Sequence, residues 1–314
     1  MLSALGSAAM AVVTRFKAGG LIVNEHTLTR EQIRVHVDAL ARWFDFIHPD
    51  ELPDRLLRRR GKPFCLLTFD DGYRSNATVA APELTRLGVP ACFFVVTEFL
   101  GGRTALWSDL YALLQKKLGT LPPGLSPETI KQLPHDLLAE RIERACRRHG
   151  ITPDLENEHV AAMTWDQVRD LRARGFSIGA HGATHAIMTR ETREDAFANI
   201  ARSIARVSEE TGAQCSSFAF PNGNYTAELA QHALRCGARM VMTTEPTWVD
   251  AGFPLWRLPR VQLFGYQERA MIDLKIAASA TGRILKGADG TRMVYREINR
   301  LSRAKAADRA RSTR

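Results

Sequence analysis

The sequence has no apolar run long enough to cross a bilayer. Its longest uncharged opening, residues 1–14, falls short of the roughly 18 apolar residues that a spanning helix needs. Cysteine is sparse. The five residues are odd in number and include no C-x-x-C, so neither a disulfide framework nor a paired-cysteine metal site is expected, and a reducing compartment fits. Cys65 and Cys92 sit in apolar runs and read as small buried hydrophobes. Internal repeats are missing, and so are low-complexity tracts apart from a basic end. With 45% hydrophobic and 25% charged residues, collagen-like, coiled-coil and disordered classes are excluded. A chain of 314 residues buries a sizeable core without staples.

Acidic residues are in short supply: 34 against 43 Lys and Arg, a net charge of +9. The excess gathers at the end. Residues 296–314 carry Arg296, Arg300, Arg303, Lys305, Arg309, Arg311 and Arg314 against Glu297 and Asp308. This tail reads either as a solvated terminus or as a contact with an anionic membrane surface. Nucleic acid is not expected, because no recognition motif or interleaved aromatics accompany the charge. At the other end no basic residue precedes the apolar stretch, while Arg15 and Lys17 follow it. The expectation is a short helix on the body or at a membrane surface rather than a cleaved leader, and a cytoplasmic or membrane-peripheral protein.

What is present is a rhythm of short apolar runs and helical patterns. Strands are expected at Leu21–Asn24, Phe44–Ile47, Phe64–Phe69, Ala91–Val96, Phe176–Ala180, Ser217–Phe220, Arg239–Thr243 and Leu258–Phe264. Thr164 and Gln167 form a capping box for a helix through Arg174 that stops at Gly175. Ala196, Phe197, Ile200, Ile204 and Val207 recur at helical spacing before Gly212. Asn76–Leu87 and Tyr225–Arg235 read similarly. Repeated strand-then-helix units imply an α/β fold, a distorted (β/α)7-type barrel of mainly parallel strands. The expected organisation is an N-terminal helical extension over 1–19, one catalytic barrel domain over 20–280 with a helical insertion at 101–162, and a basic tail over 281–314.

In parallel barrels the reactive groups sit at the C-terminal ends of strands. One expected strand ends in Asp70-Asp71-Gly72-Tyr73 and another in His181-Gly182-Ala183-Thr184-His185. Others end in Pro221-Asn222-Gly223 and in Glu25-His26, and the last carries Arg260. Singly these are weak signals; an acidic pair such as Glu209-Glu210 is solvated helix surface. Jointly they are strong. One Asp and two His make a three-ligand set for a divalent ion with positions left open. Adjacent residues on an extended chain point opposite ways, so one carboxylate of the Asp70-Asp71 pair ligates and the other stays free to take a proton.

Thr68–Tyr73 and His181–His185 resemble the first two motifs of the polysaccharide deacetylase family, the NodB-homology group or carbohydrate esterase family 4. The likeness runs from about residue 20 to about residue 270. It implies a distorted barrel, a divalent metal (zinc first, with cobalt or nickel as alternatives) and hydrolysis of N-acetyl groups from amino-sugar polymers or oligomers. By this resemblance Asp70 is the general base, and Asp71, His181 and His185 are the metal ligands. Residues 218–223 resemble the third motif, in which the backbone N–H of Asn222 faces the oxyanion. Tyr73, Pro221 and Trp256 are expected against the substrate, and Trp107 and Trp248 are further candidates for stacking on sugar.

Two departures matter. The third motif lacks its usual Arg, and the C-terminal L-x-H is absent, the final histidine being His232 in a helical pattern. Exopolysaccharide deacetylases show a permuted arrangement. Residues 21–26 resemble their acid-bearing element and residues 258–261 their late strand, which makes His26 the general acid and Arg260 the partner of Asp70. The alternatives are an amide or imide hydrolase for a small or lipid-linked substrate, an inactive carbohydrate-binding barrel, and a membrane-surface adaptor.

Overall fold

The computed structural model describes residues 2–58 and 61–281. Residues 282–314, nearly all of the expected basic tail, lie outside the described residues. All eight expected strands occur: β1 (Gly20–Glu25), β2 (Asp45–Phe46), β3 (Phe64–Phe69), β4 (Ala91–Val95), β5 (Ser177–Ala180), β6 (Ser217–Ala219), β7 (Met240–Met242) and β8 (Val261–Gln262). Every strand pairing is parallel, in the order β7-β6-β5-β4-β3-β1-β8. β2 pairs with β3 at Phe64 and Cys65, on the edge that β4 takes from Leu67 onward. The sheet is therefore a curled, distorted (β/α) barrel.

The alternation of side chains along the strands separates two apolar layers. Ile22, Phe64, Leu66, Cys92, Phe94, Ala219, Met240 and Met242 fill the barrel interior. Leu21, Val23, Cys65, Leu67, Phe93, Val95 and Phe218 face outward, where the helices cover them. On the inner face Gly179 leaves room for a ring, since a Cβ there would meet Phe94 Cε1 at 2.4 Å. Following the same alternation, Thr68 and Asp70 continue the inner face of β3.

The last strand differs from expectation. Instead of a run over Leu258–Phe264, only Val261–Gln262 is regular. Leu258 still exchanges hydrogen bonds with β7: its N–H donates to Val241 O (2.9 Å) and its carbonyl accepts from Thr243 N (2.8 Å). Pro259, which has no N–H, ends that ladder, and the chain crosses to β1, where Val261 pairs with Val23. One segment thus bridges the two ends of the sheet and carries Arg260 at the crossing.

Among the described residues, eleven α-helices surround the sheet. They are α1 (Leu2–Phe16), α2 (Arg30–Ala41), α3 (Leu52–Leu57), α4 (Ala81–Leu87), α5 (Trp107–Leu118), α6 (Pro127–Ile130), α7 (His135–Arg148), α8 (Trp165–Ala173), α9 (Arg193–Thr211), α10 (Ala227–Arg235) and α11 (Arg269–Ala280). The expected capping box opens α8, with Gln167 N–H donating to Thr164 Oγ1 (3.2 Å) and Thr164 N–H to Gln167 Oε1 (2.9 Å). α9 buries Ala196, Ile200, Ile204 and Val207 and ends at Gly212 in the left-handed region. The expected helix over Asn76–Leu87 opens with a π-helical turn at Asn76–Ala80 before α4. Residues 101–162 hold α5, α6 and α7, which bury their own cluster, including Trp107, Leu114, Ile130, Leu138 and Ile142. No described helix is long and apolar enough to cross a membrane. All five cysteines are free, and Cys65 and Cys92 are fully buried as expected.

Candidate active site

The C-terminal ends of β1, β3, β5 and β6 meet at one mouth. Asp70 N–H donates to Glu25 O (2.8 Å) and His181 N–H to Val95 O (2.9 Å), so strand hydrogen bonding carries each motif up to its reactive residue. Beyond these points the backbone turns sharply. Asp71 (φ 78°), His185 (φ 60°) and Asn222 (φ 56°) are the only non-glycine residues with positive φ among the described residues. All three belong to the expected site. The left-handed turn at Asp71 brings its carboxylate back to the side of the barrel where Asp70 points, which an extended chain would not allow.

Asp71, His181 and His185 bring one carboxylate oxygen and two ring nitrogens within 4.8 Å of one another, and all three are buried. Asp71 Oδ1 lies 3.4 Å from His181 Nε2 and 3.2 Å from His185 Nε2. His181 Nδ1 stands 2.9 Å from Ala219 O. A carbonyl only accepts, so Nδ1 carries a proton, and that bond turns Nε2 toward Asp71. Asp71 Oδ1 has no hydrogen-bond donor. Acceptors facing one another in a buried space repel unless a cation or proton lies between them, and one oxygen with two imidazoles suits zinc or a similar divalent ion. Burial pushes the Asp71 carboxyl up, but positive charge or a proton held between it and the His185 and His181 rings outweighs burial and keeps the group well below the usual carboxylate range. The loop between the histidines is braced by Asn199 of α9, whose Oδ1 accepts from Ala183 N–H (2.7 Å) and whose amide donates to Thr184 Oγ1 (2.9 Å).

Asp70 is engaged differently. Arg260 grips it with two parallel hydrogen bonds, Nη1 to Oδ1 at 2.7 Å and Nη2 to Oδ2 at 2.8 Å. The same guanidinium donates to Thr243 O (3.1 Å) and Thr68 Oγ1 (3.1 Å) and lies 5.4 Å from the Phe94 ring centre. Arg260 is completely buried, and Asp70 is 2% exposed. Burial alone would push the Asp70 carboxyl up; the charge of Arg260, then His181, the Arg260 hydrogen bonds and His26 overcome it, so the group stays below the ordinary range. Asp70 is therefore an ionised acceptor that does not join the three-ligand cluster.

A family model described as polysaccharide deacetylase matches residues 58–241, more than half of the chain. The chain belongs to the polysaccharide deacetylase family. A curated relative from Bacillus subtilis (strain 168), named "Putative polysaccharide deacetylase YxkH", is 21% identical over 198 residues, 63% of this chain and 50% of the relative. The chain thus spans about half the length of that relative. Among solved structures, IcaB from Ammonifex degensii aligns with a TM-score of 0.58 at 18% identity, covering 83% of this chain and 98% of IcaB. The Streptococcus pyogenes deacetylase PplD, solved in complex with acetate, aligns with a TM-score of 0.55 at 15% identity, covering 80% and 94%. At these identities the likeness to solved structures is one of fold.

In this member of the polysaccharide deacetylase family the mouth opens into a cleft of about 760 Å³. Asp70, Asp71, His181, His185, His26, Tyr73 and Asn222 line it, so seven of the expected site residues share one space. His26 is half-buried at the rim. Trp107 lines the cleft and donates from Nε1 to His185 O (2.9 Å). The other expected aromatic contacts fall elsewhere. Trp248 is 1% exposed and donates to Ala18 O (2.6 Å) near the opposite end of the barrel, where it packs on Phe44. It is a core residue and does not meet sugar. Trp256 is half-buried against the outer apolar layer, and Pro221 is buried; neither lines the cleft.

Sequence reasoning missed the residues that the 101–162 segment supplies. Tyr73 Oη donates to Asp109 of α5, at 3.1 Å from each carboxylate oxygen. Burial and the nearby Asp71 charge push the Asp109 carboxyl up to about 7. Lys131, just after α6, donates to Asn222 Oδ1 (2.7 Å). No motif marks either residue, because their partners lie 36 and 91 positions away in the chain.

Proposed function

We propose that this chain is a divalent-metal-dependent N-deacetylase that removes acetyl groups from an amino-sugar polysaccharide or oligosaccharide, releasing acetate and a free amine. The observation that supports it best is the pairing, in one cleft, of the Asp71–His181–His185 cluster with an Asp70 held outside it by Arg260. Asp71, His181 and His185 hold the ion, zinc in the first instance. When bound, that ion supplies Lewis-acid polarisation of the amide carbonyl and lowers the pKa of water. Asp70 accepts the proton of the attacking water. Arg260 fixes both carboxylate oxygens, so Asp70 offers its remaining lone pairs in one orientation. The Asn222 N–H, presented by the left-handed turn that Lys131 steadies, donates to the developing oxyanion. His26 donates the proton that lets the sugar amine depart, an imidazole being suited to that task near neutral pH. Tyr73 and Trp107 bear on the sugar.

The protein's partners under this reading are an N-acetylated glycan and, through the basic segment 281–314, an anionic membrane surface. A cytoplasmic or membrane-peripheral setting accords with five free cysteines. The test is acetate release from N-acetylated oligosaccharides by metal-stripped protein to which Zn²⁺, Co²⁺ or Ni²⁺ is returned. Metal-dependent release with an equal yield of amine is expected. Tight glycan binding with no acetate under any metal would replace the enzyme by a carbohydrate-binding barrel.

A further inference from the structure

The end of the barrel opposite the active-site mouth carries a second, chemically different cleft. It has a volume of about 290 Å³ and lies where α1 enters β1 and where the loop after α3 enters β3. Gly19 and Phe64, at the N-terminal starts of these two strands, line it. So do Arg15, Lys17, Arg55, Arg58 and Lys62. Asp45 is the one acidic residue in its wall, already shared between Arg55 (3.2 Å) and Lys62 (3.7 Å). Asp250 lies close enough to act on Lys17. Even with both acids counted, cations exceed anions by three.

The surface around this cleft is apolar in an unusual way. Phe16 (79% exposed), Leu57 (76%) and Val12 (60%) are the three most exposed large hydrophobic residues among the described residues. All three stand on α1 and α3, the helices that border the cleft. Val12 and Phe16 are four residues apart, so they share a face of α1 with exposed Ala8, Ala11 and Arg15. The opposite face of α1 packs on α11 through Met10 and its neighbours. An exposed face that sets Val12 and Phe16 beside Arg15 suits a boundary where an apolar layer meets anionic groups.

A third feature meets the first two. Lys17 Nζ donates to Ala280 O (2.5 Å), which fixes the end of α11 beside the basic cleft. The sequence that follows, 282–314, contains ten Lys and Arg against three acidic residues. A free phosphate or a polyanion would use the charge but not Phe16, Leu57 and Val12. An anionic bilayer uses both, because cations gather at its headgroups while apolar side chains enter the interface.

We infer that this end of the barrel docks on an anionic phospholipid bilayer, with phosphate-bearing headgroups in the Arg15–Arg58–Lys62 cleft and Phe16, Val12 and Leu57 in the interfacial layer. The inference goes beyond the basic segment, since it assigns a built site in the folded body. It also sets orientation. The six-residue strands β1 and β3 separate the two clefts by roughly 20 Å at about 3.3 Å per residue, and the active-site mouth faces away from the bilayer toward polymer in the aqueous phase.

The test is sedimentation of the full chain with vesicles of phosphatidylcholine alone and with about one-third phosphatidylserine, a readout that needs no turnover and so leaves the deacetylase reading untouched if it fails. Binding to the anionic vesicles, weakened by salt, is expected. Arg15→Glu with Arg58→Glu is expected to weaken it more than tenfold, given the attraction each basic residue contributes at such a surface. Phe16→Ser with Leu57→Ser is expected to weaken it several-fold while preserving the salt dependence. All four positions are exposed, and an unchanged thermal melt verifies the fold. Wild-type binding in both double variants would overturn the inference and leave the basic segment as the sole contact. Equal binding to neutral vesicles would overturn it too. Saturable binding of inorganic phosphate without vesicle binding would make the cleft a site for a small anion instead.

Discussion

Replacing Arg260 by Met isolates the interaction on which the geometry of Asp70 depends. The substitution keeps an unbranched apolar stem in the barrel interior and removes the guanidinium that neutralises a carboxylate only 2% exposed. Two charge-assisted hydrogen bonds of 2.7 and 2.8 Å go with it, as do the contacts to Thr68 and Thr243. Removing one member of a buried pair costs about 3–5 kcal/mol, mainly because the other charge is stranded. That is a large part of the 5–15 kcal/mol that typically holds a domain together. Urea unfolding at pH 7 with a chelator present, so that metal does not contribute, reads the loss as a lower midpoint with an unchanged slope. The pH dependence has a definite sign. In the wild type the Asp70 pKa lies below its unfolded value of about 3.9, so the pair's contribution is complete above that value and is lost as pH falls through the folded pKa. In Arg260→Met burial acts unopposed by the guanidinium and raises the Asp70 pKa, so the gap to wild type narrows as pH falls below neutrality and the carboxyl takes up a proton. Asp70→Asn added to Arg260→Met is expected to cost less than it does alone, with a coupling above about 1 kcal/mol. A loss under about 1 kcal/mol that is flat with pH, or strictly additive single effects, would refute the idea that Arg260 sustains the ionised Asp70.

Four further outcomes test the site. His181→Ala and His185→Ala are each expected to fold and to lose most bound metal by elemental analysis; full occupancy in both would dismiss the triad. Asp70→Asn is expected to keep its metal while acetate release falls by about 10²-fold or more; loss of metal here, with retention in Asp71→Asn, would exchange the two roles. His26→Ala is expected to retain fold and metal, to lose roughly 10²–10⁴ in rate and to flatten the alkaline limb of the pH profile; a normal rate on an unactivated N-acetyl sugar would remove His26 as the acid. Asp109, raised to about 7, favours the folded state most at low pH and loses that contribution as pH rises from about 4 through 7; Asp109→Asn is expected to abolish this slope in chelator, and an unchanged slope would assign it to another residue.

Much of the barrel is legible in the sequence because burial and period are local properties. Each expected strand is a short apolar run, and each appears within a residue or two of its expected ends, except where Pro259 interrupts the last. The capping box at Thr164 and the stop at Gly212 follow from side chains within three residues of the helix end. The reactive residues stand out because strand ends in a parallel barrel converge, so an Asp pair after β3 and a His pair after β5 meet without any further information.

Tertiary structure decided what depends on contacts between distant parts of the chain. Strand alternation alone points Asp70 and Asp71 apart, and only the left-handed turn at Asp71 brings both carboxylates to one mouth. In sequence Trp248 is as good a candidate for stacking on sugar as Trp107, yet the close of the barrel buries it against Phe44. Asp109 and Lys131 lie in a segment without motifs and reach the cleft because α5 and α6 pack over it. The basic cleft draws Arg15 and Lys17 from one end of β1 and Arg55, Arg58 and Lys62 from the approach to β3, residues that become neighbours only when these two strands pair. Local propensity says which segments become strands and helices. Which side chains then share a desolvated space is set by long-range pairing and by a few backbone turns, and neither leaves a periodic trace in the sequence.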